Sequence, residues 1–189
     1  MARTELTVGP RNADFRGADN KAIQAAVDAT ATARRGGKVI ILPGIYRMDD
    51  SLHLRSNVHV EGSGRRTILR KAPEVRSALS ADLGYGHFDV SLAEPDKFAV
   101  GMGVMIADDR AGGFYQTQAT LIWRDGDRFG IDRMLNHDYS RGANGYVVSS
   151  FPLISGSYVE NAPSPTWRWT ATARRIRTSS TAAAAAESS

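Results

Sequence analysis

The sequence contains no cysteine, which removes disulfide frameworks, thiolate metal centres and thiol nucleophiles from consideration. It has no apolar run approaching the length of a membrane-spanning helix, and Met1-Ala2-Arg3-Thr4-Glu5-Leu6 lacks the hydrophobic stretch of a secretion signal. A membrane is therefore not an expected partner. Nucleic acid is not expected either, because basic residues are not interleaved with aromatics in any recognisable binding motif. What is present suits one globular domain: 42% hydrophobic and 23% charged residues over 189 positions, with 18 glycines, as in a chain that turns often.

The clearest local pattern runs from Asp19 to Lys71. Asp19 or Asn20 can cap a helix in which Ile23, Ala26, Val27 and Thr30 form one apolar stripe, leaving Lys21, Gln24 and Asp28 for solvent. Arg34 and Arg35 suit a last helical turn, and Gly36 a left-handed helix end. The period then changes to short strands at residues 38–42, 45–48, 52–54, 58–60 and 67–69, separated by turn formers such as Pro43-Gly44 and Gly62-Ser63-Gly64. Strands this short bury enough surface only when stacked as successive sides of a coil, and the preceding helix is suited to cover the open first coil.

These residues, Asp19 through Asp28, then Gly36-Gly37-Lys38-Val39-Ile40-Ile41-Leu42-Pro43-Gly44-Ile45-Tyr46, then Leu52 through Gly64, carry a resemblance. They resemble the N-terminal cap and first coils of the pectate-lyase-like right-handed parallel β-helix superfamily, of the rhamnogalacturonase and epimerase kind. The resemblance implies an all-β parallel solenoid with a capping helix. It also implies a parent acting on acidic polysaccharide by lyase, hydrolase or epimerase chemistry, with Ca²⁺ as a possible cofactor. In characterised members the catalytic groups lie on coils well after the cap, so no catalytic residue is assigned and this chain is expected to lack those coils. The alternatives are a non-catalytic carbohydrate-binding or structural β-helix, and a truncated product without function.

The expected organisation is a lead-in at 1–18, helix and first coils at 19–72, an antiparallel β insertion at 73–145, a return to the coil at 146–162 and a tail at 163–189. In the insertion, residues 87–92, 103–107, 117–123 and 128–132 alternate apolar with polar positions, and Asp125-Gly126-Asp127 reads as a hairpin turn. Tyr146-Val147-Val148 and Tyr158 to Asn161 are expected to rejoin the coil. The candidate substrate contacts are Asp108, Asp109, Phe114 and Tyr115, because an acidic pair beside aromatics on a glycine-rich loop suits a sugar or Ca²⁺. The competing reading is a solvated loop. Asp49-Asp50 reads chiefly as a turn, the run Asn136-His137-Asp138-Tyr139 has no defined geometry, and Arg65-Arg66 with Arg70-Lys71 reads as a solvated basic turn. His53 and His59 lack a third ligand at metal-binding spacing. Gly62-Ser63-Gly64 and Gly101-Met102-Gly103 precede strand rather than helix, so neither is a phosphate loop.

The tail differs in composition. Residues 163–189 hold no lysine and no glycine, two of the 3 tryptophans, five consecutive alanines and +3 of the net charge of +4. Trp has a single codon, so reading 167–172 one base earlier permits Leu-Ala-Leu-Asp-Gly-Asn, a coil strand and turn. We take this as a hypothesis of a frameshift near Ala162, against a low-complexity tail. Resequencing tests it: an intact frame with no strand pattern in the shifted reading contradicts the shift.

Overall fold

The computed structural model describes residues 4–111 and 114–162; the tail, and with it the frameshift hypothesis, lies outside them. Helix α1 (Asn20–Ala31) begins where Asp19, extended at φ −143° and ψ 173°, accepts the Ala22 N–H at 2.9 Å. Its buried face is Asn20, Ile23, Ala26, Val27 and Thr30, the stripe expected from the spacing. Two expectations for the helix need correction. It ends at the Thr32 cap, before Arg34 and Arg35, because a tight turn closed by Gly36 N–H to the Ala33 carbonyl at 2.8 Å redirects the chain. Gln24 and Asp28 are also not simply solvated. Gln24 pairs with both backbone groups of His53 (2.8 and 3.1 Å), and Asp28 binds Arg55 at 2.8 Å. Replacing Asp19 by alanine removes the cap and is expected to lower stability by about 1 kcal/mol, read as a fall in urea midpoint at unchanged slope.

Strands β1 (Thr4–Gly9), β2 (Phe15–Arg16), β3 (Gly37–Ile41), β4 (Gly44–Met48), β5 (Leu52–His53), β6 (Val58–Gly62) and β7 (Thr67–Lys71) follow in chain order around the helix. Their pairing is parallel throughout: β2-β1-β3-β6 in one sheet and β4-β7 in another. The register sets Val39 beside Leu6 and Val60, so alternate apolar residues stack inward while Lys38 and Glu61 remain outside in an ion pair of 2.8 Å. α1 covers this interior, packing Ile23, Ala26 and Val27 against Val8, Val39, Ile41, Tyr46, Met48, Leu52, Val58 and Val60. The stretch 1–18, expected as a lead-in, supplies β1 and β2; the period-two alternation of Leu6 with Val8 carried that signal.

The larger sheet is antiparallel. It is built from β8 (Arg76–Ala78), β9 (Asp89–Ser91), β10 (Gly103–Ala107), β11 (Thr117–Asp125), β12 (Arg128–Ile131) and β13 (Tyr146–Val148), in the order β8-β13-β10-β11-β12-β9. Asp125 pairs with Arg128, which makes the expected hairpin. The sheet closes over a second core that includes Val90, Leu92, Phe98, Ile106, Leu121, Phe129, Ile131, Leu135 and Val147. Tyr146 to Val148 therefore stays in this sheet, against expectation, because Val147 finds Ile106 as its partner.

The chain returns one step later. β14 (Ile154–Ser155) pairs in parallel with β5, setting Ile154 beside Leu52 and Ser155 beside His53. Tyr158 to Asn161, expected to rejoin the coil, lies against it without forming a strand, with Tyr158 and Asn161 at φ +54° and +53°. The chain crosses the β5–β6 turn, where the Glu160 carbonyl accepts Asn57 N–H at 3.0 Å and the Asn161 amide donates to the Asn57 side chain at 3.1 Å. The described residues thus form a mostly β protein with stacked parallel tiers at one end. They do not extend into a longer parallel solenoid, because six strands pair antiparallel instead. No helix among the described residues is long and apolar enough to cross a membrane.

Candidate functional site

Asp108 lies at the end of β10, and its side chain is fully buried. Its carboxylate accepts Arg110 Nη2 at 2.6 Å and Nε at 3.0 Å, the Arg110 N–H at 3.0 Å and the Ser140 N–H at 3.1 Å. Burial alone would push this carboxyl up. The Arg110 side chain, the two amides and the guanidinium charge outweigh it and hold the group below the ordinary aspartate value. Arg110 also donates to the Asp138 carbonyl at 2.8 Å, so the pair braces one loop to another.

The other candidates spread outward from this brace. Asp109 accepts a hydrogen bond from the Asn144 side chain, and Asn144 itself takes the left-handed conformation at φ +54°. Tyr115 stacks on His137, with ring centroids 4.8 Å apart and planes 21° apart, and His137 meets Tyr139 edge-on at 5.8 Å. Phe114 stands in solvent at 90% exposure. The run 136–139 has a defined geometry after all. Tyr139 Oη donates to Asn136 Oδ1 at 2.7 Å and meets Thr117 Oγ1 at 2.9 Å, locking that loop onto β11, while Asp138 accepts the Tyr85 N–H at 2.6 Å.

The acid pair does not fit Ca²⁺. The oxygens of Asp108 are committed to Arg110 and amide donors, and Asp109 is engaged by Asn144, which leaves no convergent set of free oxygens. Among the described residues, no group of three or more His, Asp or Glu side chains is placed to hold a metal ion. His59 contacts Glu61 at 3.7 Å and His53 contacts Asp50 at 3.2 Å. Asp49 pairs with Arg47 at 3.0 Å. Arg65, Arg66, Arg70 and Lys71 are all exposed, and Lys71 in addition donates to the Phe151 carbonyl at 2.8 Å and lies 4.5 Å from the Phe151 ring centroid.

Beside the Asp109–Asn144 contact is a cleft of about 260 Å³, lined by Arg76, Ala78, Leu79, Arg141, Asn144, Gly145 and Tyr146. The Arg76 guanidinium lies 3.6 Å from the Tyr146 ring centroid. The register explains this: Arg76 pairs with Val148 and Ala78 with Tyr146, so Arg76 and Tyr146 are diagonal neighbours on one face of the β8–β13 ladder. Arg141, in the short helical turn before β13, is held through its N–H to Asp82 at 2.7 Å, and its side chain, 60% exposed, has its Nε 3.8 Å from the same Asp82 oxygen. Two guanidinium groups, one stacked on an aromatic, thus face a concave surface. Sequence reading missed it because Arg76 and Arg141 sit far apart in the chain and only the antiparallel pairing joins them.

No family model and no curated protein matches the sequence. Solved structures to which the chain is similar include three phage tailspikes. The gp61 tailspike of Pseudomonas phage phi297 is 17% identical over 75% of this chain and 27% of that one, with a TM-score of 0.36. The Gp54 tailspike of Acinetobacter baumannii bacteriophage AP22, in complex with A. baumannii capsular saccharide, is 11% identical over 73% and 25%, with a TM-score of 0.37. The gp49 tailspike of Pseudomonas phage LKA1 is 21% identical over 71% and 25%, with a TM-score of 0.31. The chain spans about a quarter of the length of these proteins.

Proposed function

We propose that this chain binds an acidic polysaccharide, and that its stacked tiers are the start of a right-handed parallel β-helix carrying the binding surface on a lateral antiparallel sheet. The observation that carries this reading is the cleft in which Arg76 stacks on Tyr146 opposite Arg141. A guanidinium offers a planar pair of donors to a carboxylate, and the Tyr146 ring beneath Arg76 holds that guanidinium in place. The exposed Tyr115 and Phe114, on the loop that reaches the cleft through Asp109 and Asn144, extend the surface. Asp108 serves this site indirectly by fixing the loop.

Affinity electrophoresis or calorimetry tests the proposal. A uronic-acid polymer is expected to bind, a neutral polymer of similar length is not, and binding weakens as salt rises. Arg76→Ala and Arg141→Ala are each expected to weaken it about tenfold, the loss of one charge-assisted contact. Equal binding of charged and neutral polymers, or full retention by the double variant, contradicts the proposal. New reducing ends or unsaturated products, with or without Ca²⁺, would favour the lyase or hydrolase reading over binding alone.

A further inference from the structure

The return of the chain at β14 places Ser155 directly beside His53 in the parallel register. Ser155 Oγ lies 2.8 Å from His53 Nδ1, and His53 Nε2 lies 3.2 Å from Asp50 Oδ2. Asp50 is only 6% exposed, and its carboxylate also accepts the Ser51 N–H at 2.6 Å and the Thr120 hydroxyl at 2.8 Å. The pocket for this carboxylate is built with little slack: a Cβ on Gly103 would sit 2.2 Å from Asp50 Oδ1. The backbone of His53 is fixed in turn by the Gln24 side chain on α1.

The hydrogen bonding orders the protons. An ionised carboxylate only accepts, so His53 Nε2 carries the hydrogen that faces Asp50; Nδ1 is then left to accept from the Ser155 hydroxyl. We propose that Asp50, His53 and Ser155 form a hydroxyl-activating relay and that Ser155 is a nucleophile toward carboxylic esters. The ring is used in the opposite sense to the familiar serine-hydrolase arrangement, but the chemistry needs only one nitrogen accepting from the hydroxyl and the other donating to a carboxylate. The His53 side chain is 32% exposed, so the relay is within reach of solvent, while Ile154 and Leu54, next to Ser155 and His53 in the chain, pack on the other side against the core.

In the acylation step Ser155 Oγ bonds to the ester carbonyl carbon as its proton passes to His53 Nδ1, and Asp50 balances the imidazolium. Collapse breaks the bond to the alcohol, which takes that proton. Water then adds to the acyl-serine, its proton passes through His53 back to Ser155, and the acid is released. Ester and water become acid and alcohol. None of this depends on the acidic-polymer proposal.

The test uses the full chain with a fluorophosphonate probe and peptide mapping. Labelling is expected at Ser155. It should disappear in Ser155→Ala and slow about 100-fold in His53→Gln, the ordinary loss on removing a general base. A second variant, Ser155→Cys, reads the relay without requiring turnover. Its alkylation rate by iodoacetamide should inflect well below the ordinary thiol value of about 8.5 and return there in Ser155→Cys/His53→Gln. An unlabelled Ser155 in folded protein, labelling indifferent to His53, or a cysteine inflecting at about 8.5 with His53 present would each overturn the proposal.

Discussion

Gly36→Val is expected to lower the unfolding free energy by more than about 3 kcal/mol, seen as a reduced urea midpoint or as loss of the folded state. A Cβ at this position would lie 1.9 Å from the Asn57 carbonyl oxygen and 2.7 Å from the Asn57 carbonyl carbon, both backbone atoms that cannot turn aside. Gly36 has φ +62° and Asn57 on the next tier has the same φ of +62°, with Asn161 following at +53°. The three form one corner of the stacked tiers, where Gly37 N–H donates to the Asn57 carbonyl at 3.1 Å. Left-handed backbone costs an ordinary residue about 1–2 kcal/mol, and valine, branched at Cβ, adds to it. Gly36→Asn separates the two causes: asparagine tolerates the conformation but keeps the collision, so it is expected to be nearly as damaging. A Gly36→Asn variant as stable as wild type would show that the contact between tiers is not as described.

The second large effect falls on the brace. Asp108→Ala is expected to cost about 3 kcal/mol, because it leaves the Ser140 amide and the Arg110 guanidinium without the buried partner that holds them. Asp108→Asn should recover only part of this loss, since the amide can accept but carries no charge. The brace also has a pH signature. The Asp108 carboxyl is depressed in the folded protein, so its contribution is complete above the unfolded-state value of about 3.8 and is lost as pH falls through the lower folded-state value. The stability difference between wild type and Asp108→Asn should therefore hold constant from neutral pH down to about 4 and shrink below it. A difference that grows on acidification would contradict the assigned role.

Much of the parallel end was legible because its rules are local. The stripe Ile23, Ala26, Val27, Thr30 and the alternation within Val58-His59-Val60 each depend on residues only a few positions apart, and both faces bury as read. The helix end was less accurate, because the tight turn that carries Gly36 into β3 competes with a last helical turn for Arg34 and Arg35. Tyr146-Val147-Val148 shows a different limit. An apolar triplet fits the edge of either sheet, and only the pairing with Ile106 and Ser77 decides which one it joins.

The site was harder to read for the same reason. Asp108 stood out as an acid beside aromatics, yet the sequence does not show that Arg110, two residues on, turns back to take both it and the Asp138 carbonyl. Arg76 with Tyr146, and His53 with Ser155, are contacts between segments separated by most of the insertion. Topology alone makes them neighbours.

The central claim is that the chain recognises acidic sugar through the Arg76–Tyr146–Arg141 cleft. The most direct measurement is an NMR titration of the arginine Nε–Hε resonances of the full chain with a short uronic-acid oligomer, with its carboxyl-reduced counterpart as control. Saturable shifts at Arg76 and Arg141, accompanied by the Tyr146 ring and absent with the reduced oligomer, are the predicted result. Shifts of equal size with both oligomers, or shifts confined to arginines away from the cleft, would contradict it.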